Sequence, residues 1–344
     1  MSTGISQQGI LAAGNLIVDH VKLIDTWPSQ DALVSILSQE SSNGGGPYNV
    51  TKDLARLFPH LDSRPFPIAI AGLVGDDPDG RWIQDDCAAY GIDTTNLGVS
   101  DEFSTSYTDV MTVASTGRRT FFHQRGANAR FDETAIDFSK TTCRLFYLGY
   151  LLLLDALDEV RPDGRSGAAH LLARASQAGI TTVVDLVSEE SDRFRGVIAP
   201  TLPEADLLLT NEFEAGRLSG IDLTDFTPEN ARNAAAAIRE MGVRQLIVIH
   251  APAGAVALDC QSGEFVASGS VRVPDEEIKG AVGAGDAFAA GFLYGFHESL
   301  PLAESLRIGA CVAANCLRHP TASGGILPFQ ECLALGESWG FREF

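Results

Sequence analysis

The sequence predicts an α/β fold in which a mostly parallel β-sheet is covered by helices on both faces and carries a small β-sheet lid. Short aliphatic or β-branched runs alternate with helix-compatible stretches along most of the 344 residues, which is typical of a parallel sheet with crossover helices. One segment differs, because residues 104–123 are rich in Thr, Val, Tyr and Phe around a Thr116-Gly117 turn and so predict an antiparallel hairpin. No repeat, low-complexity tract or long linker divides the sequence, so we expect residues 1–344 to form a single domain.

The predicted elements follow one another in a regular order. The strands are short runs rich in Val, Ile, Leu and Thr, at residues 10–18, 67–73, 145–148, 181–186, 206–209, 245–249 and 265–273. Helices are predicted at residues 49–57, 80–90, 167–178 and 228–241, and a further apolar helix begins near Asp286. The lid is expected from residues 20–42 and 100–125, with residues 21–39 pairing with the hairpin. A parallel sheet binds ligands beyond the carboxyl ends of its strands, so we expect the site at that edge.

Composition narrows the classes of function. The chain is 45% hydrophobic, which is too apolar for a disordered protein, and its formal net charge of -20 repels nucleic-acid backbones. None of the six cysteines forms a C-x-x-C pair, and Cys316 with His319 lacks the second pair that a metal site needs. No basic segment precedes the apolar stretch at residues 10–18, and the apolar run at 145–154 is too short for a bilayer. We therefore expect a cytoplasmic protein with no nucleic-acid or membrane partner.

The most informative segment is the glycine-rich stretch GAVGAGDAFAAGFLYGF at residues 280–296. Gly283, Ala284 and Gly285 have almost no side chain, so their amides can approach a phosphate at a helix N-terminus and form an anion hole. Asp286 lies beside these amides and could accept a proton from an attacking hydroxyl. Alternatively, Asp286 only caps the helix. The helix N-terminus should also lower the pKa of this carboxyl and make it a weak base.

Two other phosphate-binding patterns are absent. The sequence contains no G-x-x-x-x-G-K-[ST], and no G-x-G-x-x-G follows the first predicted strand. A P-loop enzyme and a dinucleotide-dependent oxidoreductase are therefore disfavoured.

A second glycine-rich segment, SSNGGGPYNVTKDLARL at residues 41–57, accompanies the first. The two together resemble the two signatures of the ribokinase-like (phosphofructokinase B) carbohydrate kinase family, and the resemblance covers essentially the whole chain. It implies the ribokinase-like three-layer fold. It also implies an ATP-dependent kinase that transfers the γ-phosphoryl group to a hydroxyl of a sugar or related small molecule, with Asp286 as catalytic base and Gly283–Gly285 as anion hole.

The resemblance also assigns the acceptor-binding residues, which are Asp19, Gly44, Gly45 and Asn49. A sugar diol would satisfy the carboxylate of Asp19, which would be costly to bury unpaired. Asn49 could donate to and accept from one sugar edge, and the glycines would permit close approach of a ligand. The alternatives are a capping or solvated carboxylate at Asp19 and a flexible turn at the glycines.

For the nucleotide, the resemblance points to Asn211, Glu214, Gly254 and Asn315. Glu214 would hold Mg²⁺ through water, because Mg²⁺ usually keeps much of its hydration shell. The alternative for Asn211 and Glu214 is an ordinary helix start with Asn as its cap.

The sequence departs from the family in two places. Gly280 and Ala281 replace the Asp-Thr pair associated with an activating monovalent cation, so a potassium requirement is doubtful. In the T-x-G-x-x-G loop, which reads IHAPAG at residues 249–254, only Gly254 remains. These departures keep open a non-catalytic sugar or nucleotide sensor, beside a nucleoside kinase of the same family and an unrelated α/β oxidoreductase. Family members often pair through the lid, and unpaired β edges seek partners, so we expect a homodimer.

Overall fold

The computed structural model describes residues 7–344, which contain thirteen strands and ten α-helices. The strands are β1 (Ile10–Gly14), β2 (Ile17–Ile24), β3 (Ile36–Gly44), β4 (Ile68–Gly75), β5 (Asp93–Ser100), β6 (Tyr107–Val113), β7 (Arg119–Gln124), β8 (Leu145–Gly149), β9 (Thr181–Asp185), β10 (Leu207–Asn211), β11 (Leu246–His250), β12 (Gly254–Asp259) and β13 (Phe265–Gly269). The helices are α1 (Gly46–Leu57), α2 (Pro78–Ala89), α3 (Asp155–Asp158), α4 (Gly167–Gln177), α5 (Phe194–Ile198), α6 (Glu212–Ser219), α7 (Pro228–Arg239), α8 (Ala284–His297), α9 (Leu302–Cys316) and α10 (Phe329–Trp339).

Nine strands form the main sheet, in the order β13-β12-β11-β10-β9-β8-β1-β4-β5. The strands from β11 to β5 are parallel, and β12 and β13 add an antiparallel edge. Alternate residues of a strand face opposite sides, and those of β1 join two different cores. Leu11 belongs to a core that also contains residues of α4, α6 and α7, whereas Ile10 belongs to a core that contains residues of α1, α2, α8 and α9. This three-layer α/β arrangement confirms the predicted fold class.

Four strands form a second, smaller sheet in the order β3-β2-β6-β7, which we call the lid sheet. The pairs β2–β3 and β6–β7 are antiparallel hairpins, and β2 runs parallel to β6. The antiparallel hairpin predicted for residues 104–123 is thus present, and it pairs with the segment that was expected to join it.

The single strand predicted at residues 10–18 is wrong, because the chain passes there from one sheet to the other. Gly14 ends β1 with a φ of 126°, and a Cβ at this position would lie 1.8 Å from the carbonyl oxygen of Gly149. The backbone N–H of Asn15 donates to that same oxygen at 2.9 Å, so only glycine allows this close turn. The edge strand β5 was not predicted, since its sequence DTTNLGVS is mostly polar and none of its residues is fully buried.

The helices of residues 7–344 are too short or too polar to cross a membrane.

Candidate active site

The glycine-rich loop leads into α8 two residues earlier than predicted. Gly283 is the N-cap and has a left-handed φ of 76°, so α8 begins at Ala284 and Asp286 lies inside its first turn. The side chain of Asp286 does not cap the helix. Its Oδ2 accepts a hydrogen bond from Asn49 Nδ2 at 2.8 Å, and its Oδ1 accepts one from the hydroxyl of Tyr150. The alternative in which Asp286 is only an N-cap is therefore wrong.

Burial controls the proton affinity of Asp286. The residue is 5% exposed, and burial raises the pKa of its carboxyl to about 6, although the hydrogen bonds from Asn49 and Tyr150 act in the opposite direction. The expectation that the helix N-terminus would lower this pKa is wrong, because loss of hydration is the larger effect. A carboxylate with a pKa near 6 is still mostly ionised at pH 7 and is a stronger base than an ordinary aspartate.

A buried chain of hydrogen bonds holds Asn49 in place. Asn43 Nδ2 donates both to Asn49 Oδ1 at 2.7 Å and to Ser323 Oγ at 2.9 Å. With its oxygen occupied in this way, Asn49 must turn its amide N–H₂ toward Asp286. The structure thus engages both ends of the Asn49 amide with protein groups. Asp53 lies one turn further along α1; it is fully buried, and burial raises the pKa of its carboxyl well above the usual range.

Asp19 lies within β2 and faces a cavity under the lid sheet. Burial raises the pKa of its carboxyl to about 7, the hydroxyl of Thr108 opposes this shift, and the nearby charge of Asp286 adds to it. A Cβ on Gly44 would lie 2.6 Å from the Asp19 carboxylate, and one on Gly45 would lie 2.3 Å from the backbone oxygen of Asn15. The two glycines therefore allow β3 and α1 to pack closely against Asp19 and the β1–β2 link.

Asn211 and Glu214 form a capping box at the start of α6. Asn211 Oδ1 accepts from the backbone N–H of Glu214 at 2.9 Å, and Glu214 Oε2 accepts from the backbone N–H of Asn211 at 3.0 Å. Ser188 and Thr210 donate further hydrogen bonds to the Glu214 carboxylate, at 2.9 and 3.1 Å. The helix-start alternative thus describes the local structure, yet both residues also line the cleft at Asp286.

Three cavities adjoin one another around this point. The lid cavity, of about 200 Å³, lies between the lid sheet and residues Val282, Pro320 and Thr321. The central cleft, of about 480 Å³, is lined by the Gly283–Asp286 segment, Tyr150, Asp185, Ser188, Asn211, Glu214 and His250. The apolar pocket, of about 450 Å³, is lined mainly by residues of α8, α9 and the 250–255 and 270–281 segments. The lid cavity shares Phe121 and Val282 with the cleft, and the cleft shares His250 and Gly285 with the pocket.

The two remaining residues assigned to the nucleotide lie in different environments. Gly254 begins β12 and lines the apolar pocket. Asn315 is fully buried, and its Nδ2 donates to the carbonyl oxygens of Cys311 at 2.9 Å and Cys332 at 3.3 Å. Helix α9 turns Ala310, Ala313 and Ala314 toward the pocket instead. The structure therefore brings Gly254 to the site and leaves Asn315 between helices.

Several residues of the site were missed by the sequence analysis, chiefly Tyr150, Asp185 and Asn43. Tyr150 follows β8 and Asp185 ends β9, so both stand at the carboxyl ends of parallel strands, where ligands bind. That rule was a usable signal for these two. Asp185 Oδ2 accepts a hydrogen bond from the hydroxyl of Tyr147 at 2.6 Å, and burial raises the pKa of the Asp185 carboxyl well above the usual range.

The residues at the cleft fit a hydrated Mg²⁺ better than a metal held directly by protein. Within residues 7–344, no three His, Cys, Asp or Glu side chains are grouped to hold a metal ion. The Glu214 oxygens already accept hydrogen bonds from Ser188, Thr210 and Asn211. Asp185 and Glu214 nevertheless both border the cleft. Carboxylates in this position suit an ion that keeps its waters and is bound chiefly by phosphates.

The comparisons with known proteins all match this chain to kinases. Residues 12–328 match the model of the pfkB family carbohydrate kinases. An ATP-dependent ribose-1-phosphate kinase from Halopiger xanaduensis is 27% identical over 284 residues, which cover 83% of each chain. The structure of Arabidopsis thaliana ribokinase complexed with ribose and ATP superposes with a TM-score of 0.77 at 19% identity, covering 96% of this chain and 99% of that one. The nucleoside kinase of Methanocaldococcus jannaschii superposes with a TM-score of 0.73 at 15% identity, covering 97% and 100%.

Proposed function

Because the chain belongs to the pfkB family of carbohydrate kinases, which are phosphotransferases with an alcohol group as acceptor, we propose that it transfers the γ-phosphoryl group of ATP to a hydroxyl of a sugar or related small molecule. Asp286 is the catalytic base in this proposal, and the backbone amides of Gly283–Gly285 form the anion hole. The observation that carries it is the position of Asp286, which is buried at the N-terminus of α8 and borders the central cleft beside the lid cavity.

In this proposal each of the three cavities binds a different part of the two substrates. The acceptor occupies the lid cavity, where Asp19 receives hydrogen bonds from its hydroxyls. The phosphates of ATP lie in the central cleft against the glycine-rich loop, because free N–H groups at a helix N-terminus favour anions. The adenosine lies in the apolar pocket, against α9 and Gly254. Asn49 and Tyr150 hold the Asp286 carboxylate through its two oxygens.

In the chemical step, an oxygen of Asp286 accepts the proton of the acceptor hydroxyl while the oxygen of that hydroxyl attacks the γ-phosphorus. The bond between the γ-phosphorus and the bridging oxygen breaks, and ADP leaves with the electron pair. The amides of Gly283–Gly285 stabilise the charge on the transferring group. Burial raises the pKa of the Tyr150 hydroxyl well above its usual range, so Tyr150 stays a hydrogen-bond donor throughout.

Mg²⁺ bound with ATP would neutralise phosphate charge, and the carboxylates of Asp185 and Glu214 would hold its water shell. Gly280 and Ala281 stand where the family has an Asp-Thr pair, so these positions offer no carboxylate to a monovalent cation. We therefore propose no requirement for such a cation.

The test is Mg·ATP-dependent ADP release with a panel of sugars, sugar phosphates, sugar acids and nucleosides, using the wild type beside Asp286→Asn. We expect substrate-dependent turnover that falls about 10²- to 10⁴-fold in the variant, the usual contribution of a general base. Glu298→Gln, at an exposed position just after α8, serves as a matched control and should retain full turnover.

Either of two results would contradict this assignment. A folded Asp286→Asn protein that loses less than threefold would remove Asp286 from the role of base. No turnover of any acceptor, with ATP still bound, would reject the proposed reaction. Turnover of nucleosides alone would make the protein a nucleoside kinase of the same family.

We also propose that two copies pair through the lid sheet. Large apolar side chains of this region are exposed, including Trp27 at 48%, Leu37 at 55% and Phe122 at 52%, and β3 and β7 are unpaired edges. Exposed apolar patches and open strand edges are typical of interfaces.

The six free cysteines are consistent with a reducing compartment, and we propose the cytoplasm as the location of the protein.

A further inference from the structure

The inner face of the lid sheet presents three rows of side chains that run across its four strands. Alternation along each strand and the pairing register define the rows. In the strand order β3, β2, β6, β7, the first row is Ser42, Asp19, Thr108 and His123, the second is Glu40, Val21, Val110 and Phe121, and the third is Ser38, Leu23, Thr112 and Arg119. All but Thr108 and His123 line the lid cavity.

The chemistry of these rows changes with distance from the base. The first row is polar and contains Asp19, which is close enough to Asp286 for their charges to interact. The second row is mainly apolar, because three of its four residues are Val21, Val110 and Phe121. The third carries Arg119. Because a strand advances about 3.3 Å per residue, the first and third rows are separated by about 13 Å at the backbone. A compound that contacts both ends must therefore be longer than the group that contacts Asp19.

Arg119 is the one Lys or Arg that lines the lid cavity in the described part of the chain. None of the ion pairs within residues 7–344 involves it. Its side chain extends toward the glycine-rich loop, since a Cβ on Gly280 would lie 3.2 Å from Arg119 Nη2. In a chain with a net charge of -20, a half-buried guanidinium without an acidic partner is a ready site for an anion of a ligand.

The acidic residues of the cavity lie on the same face as Arg119 but toward the opposite edge of the lid sheet. Glu40 is on β3 and Asp19 is on β2, whereas Arg119 is on β7. Neighbouring strands are about 4.8 Å apart, so three spacings place β3 about 14 Å from β7. The lid cavity therefore has a carboxylate side suited to hydroxyl groups and a separate cationic side.

We infer that the acceptor is an anionic polyol, a sugar phosphate or sugar acid, whose reacting hydroxyl lies between Asp19 and Asp286 and whose phosphate or carboxylate is bound by Arg119. This inference rests on the proposed function, because it specifies the acceptor of the same reaction. Arg119 also lies near the central cleft, so the phosphoryl group of ATP is the other anion that it could contact. The position of Arg119 in the wall of the lid cavity favours the acceptor.

The test compares acceptor pairs in which one hydroxyl is free or phosphorylated, such as ribose with ribose 1-phosphate and fructose with fructose 6-phosphate, in wild type, Arg119→Gln and Arg118→Gln. Arg118 is the exposed neighbour that does not line the cavity. We expect the wild type to prefer an anionic acceptor. Arg119→Gln should lower kcat/KM for that acceptor about 10- to 100-fold more than for its neutral counterpart, chiefly through KM, as for a lost hydrogen bond to a charged group. Arg118→Gln should change kcat/KM less than twofold.

The remaining outcomes separate this inference from the proposed function. Equal losses on both acceptors, or a raised KM for ATP alone, would assign Arg119 to the transferring phosphoryl group and overturn the inference. Turnover of neutral acceptors only would overturn it and leave the kinase intact. Calorimetric titration of the ATP-free protein with the same sugar phosphates supplies a readout without turnover. Binding that weakens in Arg119→Gln but not in Arg118→Gln supports the inference, and absence of binding rejects it.

Discussion

Two hydrogen bonds and a buried setting have opposite effects on the pKa of Asp286, and their balance sets the strength of this proposed base. Burial raises the pKa of the carboxyl to about 6, while Asn49 and Tyr150 stabilise the ionised form. Below about pH 6 the carboxyl is protonated and cannot accept a proton. We therefore expect turnover to fall in acid, with the base losing function well above the pH at which an ordinary aspartate would.

Removing the hydroxyl of Tyr150 shifts this balance in a defined direction. In Tyr150→Phe the carboxylate loses one donor that stabilises its ionised form, so the pKa of Asp286 should rise. The acidic limb of the kcat profile should then move to higher pH, with a larger loss at pH 6.5 than at pH 8.5. Measurement of kcat against pH decides the point. Tyr147→Phe is the control, because that hydroxyl bonds to Asp185 instead; an unmoved limb in Tyr150→Phe would contradict the role given to Tyr150.

At the scale of elements, the junction of β3 and α1 contains glycines whose lack of a side chain leaves space for other side chains of the site. Gly44 leaves room for the carboxylate of Asp19, and Gly46 leaves room for Tyr150, whose ring carbon would lie 2.7 Å from an added Cβ. These contacts are with movable side chains rather than with backbone. Substitution of Gly44 or Gly46 should therefore disturb the site more than the fold.

Gly44→Ala tests this expectation. The new methyl group should displace Asp19 and lower kcat/KM for the acceptor about 10- to 100-fold, since small misplacements at a reacting centre have effects of this size. The free energy of unfolding should change by about 1 kcal/mol or less. Gly196→Ala is the matched control, because nothing lies within 4 Å of its added Cβ. Steady-state kinetics and thermal melts of both variants provide the measurement, and a normal kcat/KM in Gly44→Ala would contradict the argument.

The sequence predicted the elements that are regular and buried, and it failed where the reason for a structure lies elsewhere in the chain. The parallel strands are continuous aliphatic runs, so their positions were readable. The break between β1 and β2 depends on the carbonyl of Gly149, which is distant in sequence. The polar edge strand β5 carries little of the apolar pattern that marks a buried strand.

The site was predictable in the same uneven way. Asp286 lies in a segment whose small residues indicate that the backbone can approach a ligand closely. Asn43, Tyr150 and Ser323 come from three separate segments, and no local spacing links them. Their hydrogen bonds arise only when α1, α8 and the strand ends are brought together. Asn315 is the opposite case. The family resemblance assigned it to the nucleotide from its position in the sequence, but its side chain bonds to the carbonyl oxygens of Cys311 and Cys332 and does not line the apolar pocket.

For the whole molecule, the lid sheet borders the proposed acceptor cavity and also carries an exposed apolar surface. We expect a dimer in sedimentation velocity at micromolar concentration, and the double variant Trp27→Ser, Phe122→Ser should shift it toward monomer. The rings of Trp27 and Phe122 stack at 6.3 Å, so the pair forms one patch. Val99→Ser removes an equally exposed apolar side chain from the main sheet and should leave the mass unchanged. A wild type that sediments as a monomer would reject pairing.

The β2–β3 hairpin is attached to the candidate active site at both of its ends. Asp19 stands near the beginning of the hairpin, and its last strand continues through Gly45 into the helix that carries Asn49. We therefore expect a shift of the hairpin to move Asn49, which accepts a hydrogen bond from Asn43 of β3 and donates one to Asp286. Occupancy of the lid cavity and proton affinity of the base are then linked quantities, and linkage is reciprocal. If the acceptor binds the ionised base more tightly, it lowers the pKa of that base by the same free energy. The enzyme would then be least active toward water when no acceptor is present.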